Sequence, residues 1–600
     1  MGRREIQRHQ FMRLAAIVHA NIWVRSQEPN KKKLFADSLV IDPSNGKIIY
    51  LGGYRLAQEL IKSLYSSFAV GEYVVLNGKG KSCFVYPGLI DAHIHVEALG
   101  NRLFWPSLSC CTSVREHKAR DILERFWQSN EQLKGLRYLL GYGWNDELWS
   151  SEDRLKWNSN CIDESPILKN IPVFLYRRCL HVCLLNKKAM EWIHCEDYWN
   201  ELQNQERSYV KTDSFGRFNG FHVEKAAFLV QKYLPSSTIE ERAHRMEYAL
   251  SHLSSLGITS VQTNDTDDAW KVYHYLWNHS KDKDLCVRVY LTPMWEEIFD
   301  SDTFQPRQVN AEDFPEYLWP RRTGRGNAYL RWGRVKLFTD GSLGAKTAAL
   351  LKPYQDEQDN YGILLLDKEE CTQRVAVAYQ TGWQCETHAI GDRAVEMIAE
   401  IYANSTSNDK RPVLTHAQLV TPSSLHSMKQ SGTIVNIQPS FLSSDYPWIE
   451  SRLGTERISF AYAWKTISDF GILLSGGSDA PVEDASPWKG IYAAIERKDE
   501  QQQPYPDGWQ PKEKLSLEAA LSLYTENAAI AEYSEQEKGL LEIGYYADMI
   551  ILEQNIFSIS ALDCLHMSVL ATIVGGKVVY HRENWTDYIT SLEELDKSSL

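Results

Sequence analysis

Val85-Tyr-Pro-Gly-Leu-Ile-Asp-Ala-His93-Ile-His95 is an apolar run that ends in two histidines two residues apart. If the run is a β-strand, residues at that spacing share one face, so both imidazoles can reach the same metal ion. Alone the pair is weak: with 17 histidines among 600 residues, a His-x-His arises by chance roughly as often as not. Its value depends on what lies further along the chain.

Four later stretches have the same form: Arg334-Val-Lys336-Leu-Phe-Thr-Asp340-Gly, Cys385-Glu-Thr-His388-Ala-Ile-Gly-Asp392, Pro412-Val-Leu-Thr-His416-Ala, and Ile472-Leu-Leu-Ser-Gly-Gly-Ser-Asp479-Ala-Pro. Each places a metal-competent or ionisable side chain after a short β-prone segment, the position where β/α barrels keep their active sites. A barrel of about 250 residues uses roughly 31 per β/α unit. Lys336 to His388 is 52 residues, His388 to His416 is 28 and His416 to Asp479 is 63, matching one unit with a long loop, one unit, and two units. If His93 and His95 end strand 1, then Lys336, His388, His416 and Asp479 end strands 4, 5, 6 and 8. His95 to Lys336 is 241 residues, against roughly 90 for three units. The excess is assigned to an insertion in the Trp-rich region at about 105–220.

Outside the barrel the texture changes. Ser38-Leu-Val-Ile-Asp42, the Asn45-Gly46 turn and Lys47-Ile-Ile-Tyr-Leu51 read as antiparallel strands, as do Ala547-Asp-Met-Ile-Ile-Leu552 and Ala571 to Tyr580 around Gly575-Gly576. The expected organisation is an α/β chain: a (β/α)8 TIM barrel over 86–535, and a small β-sandwich built from both ends, 15–85 and 536–585. The polar, Pro-containing stretch Asp499 to Gln510 reads as a surface loop.

The net charge of −13 and pI near 5.8, with basic residues scattered along the chain, argue against a nucleic-acid partner. No stretch has the roughly eighteen consecutive apolar residues of a membrane span, and the basic start, Arg3 to Arg13, is not followed by a signal-peptide core. The 11 cysteines include no Cys-x-x-Cys pair, and the adjacent Cys110 and Cys111 suit packing better than a bridge. A cytoplasmic location is expected. The 19 tryptophans are read first as core residues.

The joint wording, Pro87-Gly-Leu-Ile-Asp-Ala-His-Ile-His95, Lys336-Leu-Phe-Thr-Asp-Gly-Ser-Leu-Gly344, Thr387-His-Ala-Ile-Gly-Asp-Arg-Ala394, His416-Ala-Gln-Leu419 and Gly477-Ser-Asp-Ala-Pro481, resembles the amidohydrolase superfamily, in particular its YtcJ-like branch, which includes N-substituted formamide deformylases. Lys538-Gly-Leu-Leu-Glu-Ile-Gly544 and Ala547-Asp-Met549 extend the resemblance to the C-terminal part. Between 100 and 330 only fragments match, such as Arg178-Cys-Leu-His181 with Asn186, and Gly220-Phe-His-Val-Glu224.

The resemblance implies a metal-dependent hydrolase of non-peptide C–N bonds. His93, His95 and Asp479 would hold one divalent ion, and His388 and His416 a second. Lys336, carboxylated by carbon dioxide, would bridge them; zinc suits the donors, with iron or manganese as alternatives. Asp479 would also shuttle the proton, and His181 would donate to the developing oxyanion. Asp340, Asp392 and Arg393 read as holding turns and helix starts, with Arg393 also in reach of an anionic substrate; His222 and Glu224 are left open. The expected partners are a small-molecule substrate and at most a second copy of the chain. Two rival readings stand beside this one: a single-metal deaminase-type site in which Lys336 is no ligand, and a barrel kept for binding or signalling after loss of turnover.

Overall fold

The computed structural model describes residues 12–24, 34–65, 68, 72–108, 116–129, 137–144, 154, 156–177, 182–202, 206–223, 225–234, 237–266, 268–405, 410–591 and 594–595. His181, Glu224, the Cys110-Cys111 pair and the basic start up to Phe11 fall outside them. The chain divides into two compact units, one made of residues 1–97 and 249–600 and the other of Ala98–Tyr248.

Among the described residues of the first unit, eight parallel strands are arranged as a barrel: strand 1 Leu89–Ile94, 2 Ile258–Thr263, 3 Arg288–Leu291, 4 Val335–Phe338, 5 Cys385–Ala389, 6 Val413–His416, 7 Ile434–Ile437 and 8 Leu474–Gly476. Parallel ladders join 1 to 2, 2 to 3, and 4 through 8 in order. A parallel bridge from Met294 to Lys336 joins the third to the fourth. The Asp479 N–H donates to the His93 carbonyl at 2.8 Å and the His95 N–H to the Ala480 carbonyl at 2.9 Å, which returns strand 8 to strand 1. The fold is that of an eight-stranded β/α barrel. Strands buried on both faces must read as near-continuous apolar runs, and strands 1, 2, 3, 6, 7 and 8 are buried throughout. Gly477 shows how tightly the seam closes: a Cβ there would lie 2.6 Å from the His93 nitrogen.

Both chain ends enter one sheet. Met549–Leu552 runs antiparallel to Phe84–Pro87, and Met12–Val18 pairs with Lys577–His581. Hydrogen bonds link these strands, from both chain ends, into an 11-stranded sheet with a side branch. The strands of both ends share one apolar core, including Ile17, Leu39, Val85, Ile551 and Ile573. Helix Tyr54–Tyr65 covers other residues of the sheet through Ala57 and Ile61. Arg288 of strand 3 grips Asp548 with two hydrogen bonds of 2.7 and 2.9 Å, both side chains buried, and so anchors the C-terminal strands to the barrel.

The second unit has a five-stranded sheet of its own, in the order Val210–Thr212, Phe218–Val223, Val182–Leu185, Val173–Arg177, Leu139–Trp144. Its core includes Trp144, Trp157, Tyr176 and Tyr198. The insertion was placed at about 105–220; the compact unit is longer at both ends. Among the described residues no helix is long and apolar enough to cross a membrane.

Candidate metal centre

All five ligand-bearing stretches meet at the C-terminal ends of strands 1, 4, 5, 6 and 8, the strands to which spacing assigned them. Asp479 Oδ1 lies 3.3 Å from His93 Nε2 and 3.0 Å from His95 Nε2. These three side chains form a cluster able to hold a metal ion. The His93 ring centroid is 5.5 Å from that of His416, which is 4.5 Å from that of His388.

Each histidine is turned by an acceptor on one ring nitrogen, which leaves the other nitrogen as a lone-pair donor. His93 Nδ1 meets Glu386 Oε1 at 2.8 Å, His95 Nδ1 the Asn264 carbonyl at 2.6 Å, and His416 Nδ1 the side-chain oxygen of Gln438 at 2.7 Å. His388 is held the other way round, Nε2 to the Gly341 carbonyl at 3.1 Å. Nε2 of His416 and Nδ1 of His388 are therefore left without an acceptor among these contacts, while Nε2 of His93 and of His95 faces Asp479 Oδ1. Gln438 is itself fixed, its Nε2 donating to Asn436 Oδ1 at 2.6 Å.

The electrostatics suit a cation. Burial, with the Lys336 charge nearby, pushes His388 down to about 4, and burial beside His388 holds His416 well below the usual range, so both are neutral at pH 7. Burial alone would raise the Asp479 carboxyl, but hydrogen bonds from His93 and His95 outweigh it and keep the group well below its ordinary value. His416, Ala417 and Asp479 adopt left-handed backbone, φ +79°, +42° and +57°. Non-glycine residues accept that strain where surrounding structure imposes it, commonly at functional sites.

Lys336 is buried, and its Nζ donates to Glu386 Oε1 at 2.7 Å; burial lowers its affinity for a proton while Glu386 works against that. Glu386 is the functional residue the sequence reading passed over. Its position two before His388, on the same face of strand 5, was the available signal. Arg334, also overlooked, donates to the second oxygen of Glu386 at 2.7 Å and to the Gln262 side chain at 2.7 Å.

Asp340 and Asp392 hold turns, as expected. Asp340 accepts the backbone N–H groups of Ala349, Ile390 and Gly391 at 2.8–3.0 Å, and Asp392 those of Leu351 and Arg393. The Arg393 side chain is exposed. His222 lies in the second unit, its Nε2 2.9 Å from that of His194 among Tyr198, Trp199 and Phe218, a packed pair rather than an outlier ligand.

The donor set fits a divalent ion: two imidazoles and a carboxylate, those of His93, His95 and Asp479, lie around one point, with the neutral His388 and His416 beside them. Residues 79–580 match the model of the Amidohydrolase family. The YtcJ protein of Bacillus subtilis (strain 168), whose name reads amidohydrolase, is 28% identical over 527 residues, 87% of this chain and 93% of its own. The N-substituted formamide deformylase of Arthrobacter pascens is 21% identical over 91% of this chain and 97% of its own. The crystal structure of an uncharacterized metal-dependent hydrolase from Pyrococcus furiosus superposes with a TM-score of 0.69 at 28% identity, covering 91% of this chain and 99% of that one. With its motifs on the matching strand ends, the chain belongs to the amidohydrolase family, on the YtcJ-like branch.

Proposed function

We propose that this protein hydrolyses a carbon–nitrogen bond, an amide or N-substituted formamide, in a small molecule, using two divalent ions. The observation that carries the reading is the set of four neighbouring histidines, each with one ring nitrogen tied to an acceptor, of which His93 and His95 turn the other toward Asp479. His93, His95 and Asp479 would hold one ion, His388 and His416 the other, with Lys336 carboxylated between them. Such ions supply Lewis acidity toward a carbonyl oxygen and a water acidic enough to act near neutral pH; zinc, iron and manganese all suit imidazole and carboxylate donors.

The chain's own groups supply the proton handling. Asp479 Oδ1 sits at the centre of the cluster and is ionised. A carboxylate held that low is a weak base, suited to passing a proton on to the departing nitrogen. His181 is the proposed oxyanion donor. The formamide class is taken from the printed name of the Arthrobacter relative.

A second reading has its own observation. Lys336 paired with Glu386 at 2.7 Å would also suit a site with a single ion in which the lysine is no ligand. A panel of N-substituted formamides, amides and amino-heterocycles, assayed before and after chelation and again with zinc, manganese or iron restored, separates the two. Metal-dependent cleavage of formamides or amides supports the proposal; turnover confined to amino-heterocycles favours a deaminase, and none across the panel refutes both.

A further inference from the structure

The side chain that joins the most parts of the centre is one that touches no ligand atom facing the ion. Glu386 is 1% exposed. Its Oε1 accepts from His93 Nδ1 at 2.8 Å, Lys336 Nζ at 2.7 Å and Thr415 Oγ1 at 2.9 Å, and its Oε2 accepts from Arg334 Nε at 2.7 Å. A carboxylate has about four lone-pair sites, so its capacity is filled by donors from strands 1, 4 and 6 and from Arg334 just before strand 4. An arginine partner alone would satisfy a structural carboxylate; the other three contacts reach the centre or the strand that carries His416.

Lys336 supplies the second half of the argument. Its side chain is fully buried. Among the described residues its Nζ makes one hydrogen bond, to Glu386, and faces the Phe338 ring at 5.3 Å. An ammonium has three N–H donors, and buried donors left unbonded are costly. A carbamate nitrogen has one. The surroundings therefore provide acceptors for a lysine that keeps a single N–H.

We infer that Glu386 is a positioning residue of the metal centre, which holds the remaining N–H of a carboxylated Lys336 with the same oxygen that orients His93. This rests on the two-ion reading above. In forming the carbamate, the lone pair of neutral Lys336 Nζ attacks the carbon of carbon dioxide and the N–C bond forms. One C–O π pair moves onto oxygen, and Nζ loses one proton to solvent. Glu386 then fixes the nitrogen, so the new carboxylate turns away from it toward the histidines, while Arg334 on Oε2 offsets the added negative charge.

The test uses the full chain with ¹³C-bicarbonate and zinc, comparing the parent, Glu386→Ala, Glu386→Gln and Lys336→Ala. Three quantities are read: the carbamate ¹³C resonance, zinc affinity by chelator competition, and the melting temperature of the metal-free protein. Glu386→Ala is expected to lose the resonance and to weaken zinc binding tenfold to a hundredfold, the usual effect of removing a carboxylate behind a ligating histidine. Glu386→Gln, which keeps an acceptor without the charge, should fall between it and the parent. A folded Glu386→Ala with the parent's resonance and affinity overturns the inference; if that variant does not fold, a Glu386→Gln protein equal to the parent does so. A parent without the resonance refutes the two-ion reading and the lysine half together, and zinc affinity in the Lys336→Ala background then decides the His93 half.

Discussion

The barrel's strand ends and the unit at 98–248 put polar residues to opposite uses. At the strand ends buried polar groups are linked so that one atom of each stays free: His416 is tied through Nδ1 to Gln438, and Gln438 to Asn436, leaving His416 Nε2 unclaimed. In the other unit Asn186 is a buried polar group that is closed off. Asn186 accepts from the Val173 and Ala189 N–H groups and donates to the Leu168 and Ile171 carbonyls, so its capacity is spent on shape. His416 keeps one ring nitrogen for a ligand, whereas Asn186 has every donor and acceptor spent on holding the backbone around it.

The sharpest way to break the comparison is to remove Asp479. Asp479→Ala should lower kcat/KM by about 10³–10⁴, because a charged ligand and the proton carrier go together, while a thermal melt of the metal-free protein shows the fold retained. Trp144→Ala should do the reverse. That side chain is 1% exposed and packs against Trp157 and Phe221; its loss should cost about 3–5 kcal/mol in denaturant unfolding and leave ions per folded chain unchanged. Gln438→Ala should weaken metal binding roughly tenfold to a hundredfold by freeing the His416 ring, measured by chelator competition.

The smallest effect concerns Asp445, whose carboxyl burial pushes up to about 7 against a hydrogen bond from the Tyr462 hydroxyl. Its folded-state value exceeds the unfolded one of about 4, so the stabilisation from binding its proton is complete below pH 4 and is lost as pH rises to 7. Asp445→Asn should flatten that part of the stability profile by roughly 1–2 kcal/mol after solvent screening, as read from urea melts between pH 4 and 8.

The same contrast explains what the sequence disclosed. The strands ending in His93, Lys336, His388, His416 and Asp479 could be numbered from spacing, because ligands from distant stretches converge only if each ends a barrel strand. Glu386, Gln438 and Asn264 were passed over because their work is to orient a histidine, and which acceptor meets which ring nitrogen is fixed by three-dimensional packing. Glu386 alone left a trace, an acid in an apolar strand two residues before His388. The limits of the second unit escaped notice because helices Val96–Phe104 and Ile239–Ser255 run through both boundaries without a change of composition. The terminal strands were legible from their turns, but whether they form one sheet or two depends on pairings between chain ends more than 500 residues apart, such as Arg13 with Lys577.

The most direct test is the number of metal ions per chain, by elemental analysis of protein prepared with bicarbonate, for the parent and Lys336→Ala. Two ions in the parent and one or fewer in the variant is the expected result; a single ion in both would contradict the bridged centre.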